Sequence, residues 1–196
     1  MANEKFGANS IVGFKNIMFA PITKDDTTGY ETEAAFNVPF AGTMEMSEDA
    51  SETKLYYDDK QQANLRNVNA LNVTINLGAI SLTTLEKLGA GTIDVATGVF
   101  SGKYDIKPMD FSLRYIADTV DKNPYAFKHR KFTMTGVAHG NYQTKNDSIT
   151  VNEVVIKGSV TSPQYTGAAD YDMIQLADDN SNQSAFDAFL NAAETI

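Results

Sequence analysis

From Leu71 to Leu77 the chain reads Leu-Asn-Val-Thr-Ile-Asn-Leu, with every odd position apolar and every even one small and polar. Successive side chains on a β-strand point to opposite faces, so this stretch makes a strand with one buried and one wet face. A helix would scatter the same apolar groups around its axis. Phe111, Leu113 and Tyr115, separated by Ser112 and Arg114, repeat the pattern, and Phe132 to Val137 follows it less cleanly. Ile149 to Val160 is rich in β-branched residues and reads as a long strand. Ile11 to Ile22 and Ala34 to Met46 are further strands, the second weakened by Pro39.

Two helices are predicted. Ser81 caps the first, Leu82, Leu85 and Leu88 share one face, and Gly89 stops it. The second runs from about Ser184 to Ala193, capped by Ser184, with Asp187 in its first turn and Phe186, Phe189 and Leu190 on its apolar face. Asp178 to Asn182 is the polar linker before it, and Asp25 to Gly29 is a turn. Thr97-Gly98 and Ser101-Gly102 punctuate a short strand pair around Phe100. Gln61 to Asn69 is a polar stretch and reads as a candidate long loop between a strand ending at Tyr57 and the clean strand at Leu71. The fold expected is mainly β, a sandwich or half-barrel with one short flanking helix and a C-terminal helix. Residues 1–163 form the β domain, with 1–10 as an N-terminal arm and 164–196 as a C-terminal arm.

Charge narrows the function classes. The chain of 196 residues carries net charge −9, the wrong sign for a protein that grips phosphates. The charge is uneven: residues 1–60 hold 11 acids and 5 bases, 101–131 hold 4 acids and 7 bases, and 132–196 hold 8 acids and 2 bases. A basic middle between acidic ends suits attraction between copies, beside the plainer reading of ordinary solvated faces. There is no cysteine, which excludes disulfides and thiol chemistry. No apolar run has the length of a signal peptide or a spanning helix, so a soluble chain made in a reducing cytoplasm is expected.

Catalytic constellations are missing. The only histidines are His129 and His139, and no Gly-x-Ser-x-Gly elbow accompanies them. His129 sits in Lys128-His129-Arg130-Lys131, whose charge disfavours its protonation. Gly98 to Tyr104 resembles a phosphate loop but is one residue short, with Tyr where the metal-binding hydroxyl belongs. Asp178-x-Asn180-x-Asn182 begins like a calcium loop, yet Gln183 and Phe189 occupy its two most specific positions. The pairs Asp25/Asp26 and Asp58/Asp59 read as surface charge. Tyr57 and Tyr115 fall in alternating strands, where a core or interface place is expected rather than base stacking. No catalytic, cofactor-binding or metal-binding residue is predicted, and no enzyme activity.

The order of elements resembles the major tail proteins of long-tailed, non-contractile bacteriophages. Three stretches carry the likeness: Gly13 to Thr23 (GFKNIMFAPIT), Glu52 to Ala63 with Leu55-Tyr56-Tyr57-Asp58-Asp59, and Val68 to Ala90, an alternating strand running into the helix SLTTLEKLG. Tyr104 to Pro163 is similar to the paired strands of the family's second half, whereas residues 164–196 match nothing in it. The resemblance implies a virion protein, made in the host bacterial cytoplasm, that closes into hexameric rings. The rings stack into a tube through which double-stranded DNA passes without specific binding. Its partners would be its own copies and the tape measure, tail terminator and distal tail proteins, with no membrane insertion. On this reading Asp58, Asp59, Lys60, Gln61, Gln62, Asn64 and Arg66 contact the next ring, in the loop running to Asn69. Lys128, Arg130 and Lys131 pair with acids on a neighbouring copy. The alternatives are the tube of a contractile tail or bacteriocin-like device, and a monomeric β-sandwich binding module.

Overall fold

The computed structural model describes residues 10–57, 60–103, 106–120, 123–139 and 154–196, with side chains except over 53–65 and at 139. The fold is mainly β. The strands are β1 (Ile11–Asp26), β2 (Gly29–Thr32), β3 (Phe36–Val38), β4 (Ala41–Tyr57), β5 (Lys60–Leu77), β6 (Gly91–Asp94), β7 (Val99–Gly102), β8 (Met109–Thr119), β9 (Tyr125–His139), β10 (Val154–Thr161), β11 (Tyr171–Gln175) and β12 (Glu194–Thr195). Helix α1 (Leu82–Lys87) follows β5, and α2 (Gln183–Asn191) lies between β11 and β12. Among the described residues ten strands form one antiparallel sheet in the order β12-β2-β1-β8-β9-β10-β5-β4, with β11 added to β9 and β3 to β1. β6 and β7 make a separate hairpin around a turn at Gly98, whose φ is +71°.

The alternating strands deliver their apolar faces to one core. Val73, Ile75 and Leu77 of β5 are buried there with Ile17 and Phe19 of β1, Phe111 and Leu113 of β8, Phe132 and Met134 of β9, and Ile156 of β10. Residues from strands far apart in the sheet thus share one cluster, so the sheet wraps partway round its own apolar face. Phe19 lies 5.5 Å from both Phe111 and Phe132, ring centre to ring centre, which ties β1 across β8 to β9. Each fully buried side chain of this size contributes about 1.5–3 kcal/mol. Leu88, just after α1, is buried in the same cluster. Ser81 caps α1, its hydroxyl accepting from the Thr84 amide, and Gly89 turns the chain at φ +73°.

β8 is buried on both faces. Its second face, with Ser112, Arg114 and Ile116, is covered by the C-terminal segment. Phe186 and Leu190 of α2 pack on Ile116 and Ala126, and β12 pairs with β2. Residues 164–196 are therefore docked on the β domain: β11 is a strand of the main sheet and β12 extends its edge. Two local expectations change. Pro39 splits the predicted strand Ala34–Met46 into β3 and β4, with Phe40 at φ +63°. Asn182, not Ser184, is the N-cap of α2, without a side-chain cap bond, and no acidic residue stands in the first turn. Asp187 instead accepts from the Gln183 amide side chain.

Candidate functional site

The stretch expected to be a loop is strand. Lys60 to Leu77 forms β5, paired along its length with β4, from Tyr57↔Lys60 inward. β10 covers β5 only between Leu71 and Leu77. Beyond that point residues 60–70 pair, among the described residues, with β4 alone, a two-strand arm that reaches about 36 Å at ~3.3 Å per residue. Ser47 to Glu52 on β4 and Arg66 to Asn69 on β5 are exposed on both faces. Arg66 pairs with Glu48 across the arm. Register shifts at Asp49/Ala50 and Leu55/Tyr56 add local twist. Of the predicted inter-ring residues, Lys60, Gln61, Gln62 and Asn64 lie on the strand near its tip and Arg66 lies midway. Asp58 and Asp59 are outside the described residues, as is the side chain of Tyr57.

The three cations predicted to serve a neighbour find their carboxylates within the chain. Glu194 of β12 bridges Lys128, at 3.4 Å, and Arg130. Arg130 also pairs with Asp172 of β11. Lys131 donates to Asp25 at 2.7 Å. Asp25 is therefore not surface charge; its other oxygen accepts the Gln164 amide at 2.7 Å and the Tyr165 amide at 3.2 Å. Asp26 beside it does face solvent, where it accepts from the Thr28 amide and hydroxyl, bonds that lower its pKa. Sequence reading missed these pairs because the partners stand 42 to 106 residues apart.

Arg114 completes this buried charged layer. Its Nη1 donates to the Leu190 carbonyl at 2.9 Å and the Ala192 carbonyl at 2.7 Å, the end of α2 where the helix dipole is negative. Longer contacts reach the Thr32 hydroxyl at 3.3 Å and the Ser112 hydroxyl at 3.4 Å. Burial pulls the pKa of Arg114 and of Lys128 below the usual values. Lys128 Nζ also lies 4.3 Å from the centre of the Phe189 ring. The Tyr30 hydroxyl donates to the Arg130 carbonyl at 2.5 Å, and burial raises its pKa.

Among the described residues no three His, Cys, Asp or Glu side chains group as metal ligands. His129 is buried between Tyr115 and Tyr171, its ring 5.9 Å from each. Burial holds its pKa below 6.5, the direction expected from the sequence but with desolvation, not neighbouring charge, as the cause. Tyr115 is buried, as expected, and desolvation pushes its hydroxyl up to about 12. The His139 side chain lies outside the described residues. A cleft of about 220 Å³ opens where β5 parts from β10, lined by residues such as Val68, His129, Ser162, Asp170 and Tyr171. No described helix is long and apolar enough to cross a membrane. No protein-family model matches this chain, and no curated protein matches it.

Proposed function

We propose that this chain is a non-catalytic structural protein that assembles with its own copies into stacked rings, forming the tail tube of a long-tailed bacteriophage. The observation that carries the assembly reading is the β4–β5 arm. A two-stranded ribbon is marginal in water unless its surface is covered. Here about half of the longest hairpin in the fold has no described neighbour but itself, and β4 is the last strand of the sheet. Among the described residues no strand pairs with its outer edge, and such an edge pairs readily with another chain. A second copy meets both needs in a symmetric assembly. The tail-tube part of the reading rests on the resemblance in residue order between Ile11 and Pro163.

The charge layout supports a conduit. Arg114, Lys128, Arg130 and Lys131 of the basic middle are turned inward or paired, together with Asp25, Asp172 and Glu194, and the outer surface of a −9 chain stays acidic. Such a surface repels phosphates and lets DNA slide.

The test is a shortened arm. Replacing residues 53–65 by an Asn-Gly turn joins Glu52 to Arg66, which face each other across the ribbon, and leaves the core untouched. The variant is expected to fold with unchanged thermal stability and to form no tubes under conditions where the parent does. Tubes of normal length from the shortened chain would remove the arm from the stacking contact.

A further inference from the structure

Residues 164–196 contain six carboxylates and no lysine or arginine, and they lie over the most cationic buried surface of the fold. The cations are ordered by the sheet. Arg114 on β8 stands opposite Lys128 on β9, and Arg130 lies two residues further along the same face, ~6.6 Å away. Three positive charges face two negative ones, Glu194 and Asp172, and the α2 carbonyls make up part of the difference. Arg130 Nε, buried with the rest of that side chain, has no hydrogen-bond partner among the described residues. The covering segment is held by separable contacts. They are Phe186 and Leu190 on Ile116 and Ala126, Glu194 on the two cations, and a two-residue strand pairing closed by the Tyr30–Ile196 backbone bonds. Asp178 to Ser181, the linker to this segment, is exposed and polar, with Asn180 at φ +54°.

We propose that Gln183 to Ile196 is an internal strap that masks a latent site for nucleic-acid phosphates, made by Arg114, Lys128 and Arg130. The strap acts as a built-in competitor: Glu194 and the α2 carbonyls occupy donors that phosphate oxygens would take, while Asp172 of β11 keeps one nitrogen of Arg130 whether or not the strap is docked. Guanidinium and ammonium groups on one face of two adjacent strands suit a phosphate backbone, which presents repeated charge along a line. Phosphate, unlike an apolar partner, also supplies an acceptor for the idle Arg130 Nε. With the strap docked, the chain does not hold DNA; with it lifted, the chain does. The inference is independent of ring assembly, because it concerns one copy alone.

The experiment uses the full chain. Phe186→Ala combined with Leu190→Ala removes the apolar anchor and alters no charge. Glu194→Gln, made separately, removes the ionic one. Hydrogen exchange at the Glu194 and Ile196 amides reports whether the strap has lifted, and a short fluorescent DNA duplex reports binding by anisotropy. Parent protein is expected to show slow exchange and no binding. The released variants are expected to bind DNA with a log–log salt slope of about −2.7 for three phosphates, a loss of roughly 40-fold between about 50 and 200 mM salt. Adding Lys128→Gln and Arg130→Gln to the released background should abolish that binding. Released straps without DNA binding would overturn the proposal, as would binding that survives the two glutamine changes. If neither variant speeds exchange at those amides, the strap is not separable and the proposal fails.

Discussion

Arg114→Met tests whether a buried arginine without a carboxylate of its own stabilises this fold. The side chain is 0% exposed, so the whole charge is removed from water. Its two short bonds go to carbonyls at 2.9 and 2.7 Å; those at 3.3 and 3.4 Å are too long to count for much. A hydrogen bond to a charged group contributes about 1.5–3 kcal/mol, which gives a gross loss of about 3–6 kcal/mol. Against this stands a refund. Burial lowers the Arg114 pKa, so its surroundings replace water incompletely, although the charge of Glu194 opposes that shift by more than Arg130 adds to it. Methionine keeps most of the aliphatic stem and its packing, so no large cavity opens. The carbonyls of Leu190 and Ala192 lose this donor, however, and an unsatisfied buried acceptor costs about 1–3 kcal/mol. The net destabilisation should be about 2–3 kcal/mol, and at about 2–4 °C per kcal/mol for a domain of this size the midpoint should fall by roughly 5–10 °C. Differential scanning calorimetry of both proteins at pH 7 measures it. An unchanged or raised midpoint would mean that desolvation outweighs the bonds, and would refute the view that Arg114 ties the C-terminal segment to the sheet.

Other expectations follow from the same geometry. Ile75→Ala empties a fully buried position near the C-terminal end of β5 and should cost about 2–5 kcal/mol in chemical denaturation, whereas Thr74→Ala on the other face should cost under about 0.5 kcal/mol. Gly158→Ala would place a Cβ 2.4 Å from the Phe132 ring and 2.5 Å from the Thr133 carbonyl, so β10 must shift away from β9. A loss of at least about 2 kcal/mol is expected in the same assay. The His129 pKa is depressed in the folded chain, so the unfolded chain binds more protons as pH drops below 6.5. Stability from this group is complete above that pH and is lost below it. Melting curves between pH 7.5 and 5.5 should show the loss, and His129→Gln should flatten it.

The sequence made the core strands legible because one face of each is buried. Leu71 to Leu77 alternates since β10 and β4 flank it and the core lies beneath. The outer half of β5 is the same strand beyond the reach of β10, and Gln61, Gln62, Asn64, Arg66, Asn67 and Asn69 give it a polarity that resembles a loop. Period two reports burial, not extension. Charge was legible in sign but not in address. The basic middle does meet acidic flanks, yet Glu194, Asp172 and Asp25 are brought to Lys128, Arg130 and Lys131 by sheet order, which block charges do not encode. The helices illustrate the same boundary. Ser81 and Gly89 act locally and were readable, whereas the start of α2 is set by its docking on Ile116 and Ala126, and the capping signal at Ser184 lost to that packing.

The central claim is that this chain assembles with itself, and negative-stain electron microscopy of the purified protein across concentration and salt addresses it most directly. The account predicts rings or hollow tubes for the parent and none for the chain with the shortened β4–β5 arm. Monodisperse single copies of the parent under all conditions would contradict it.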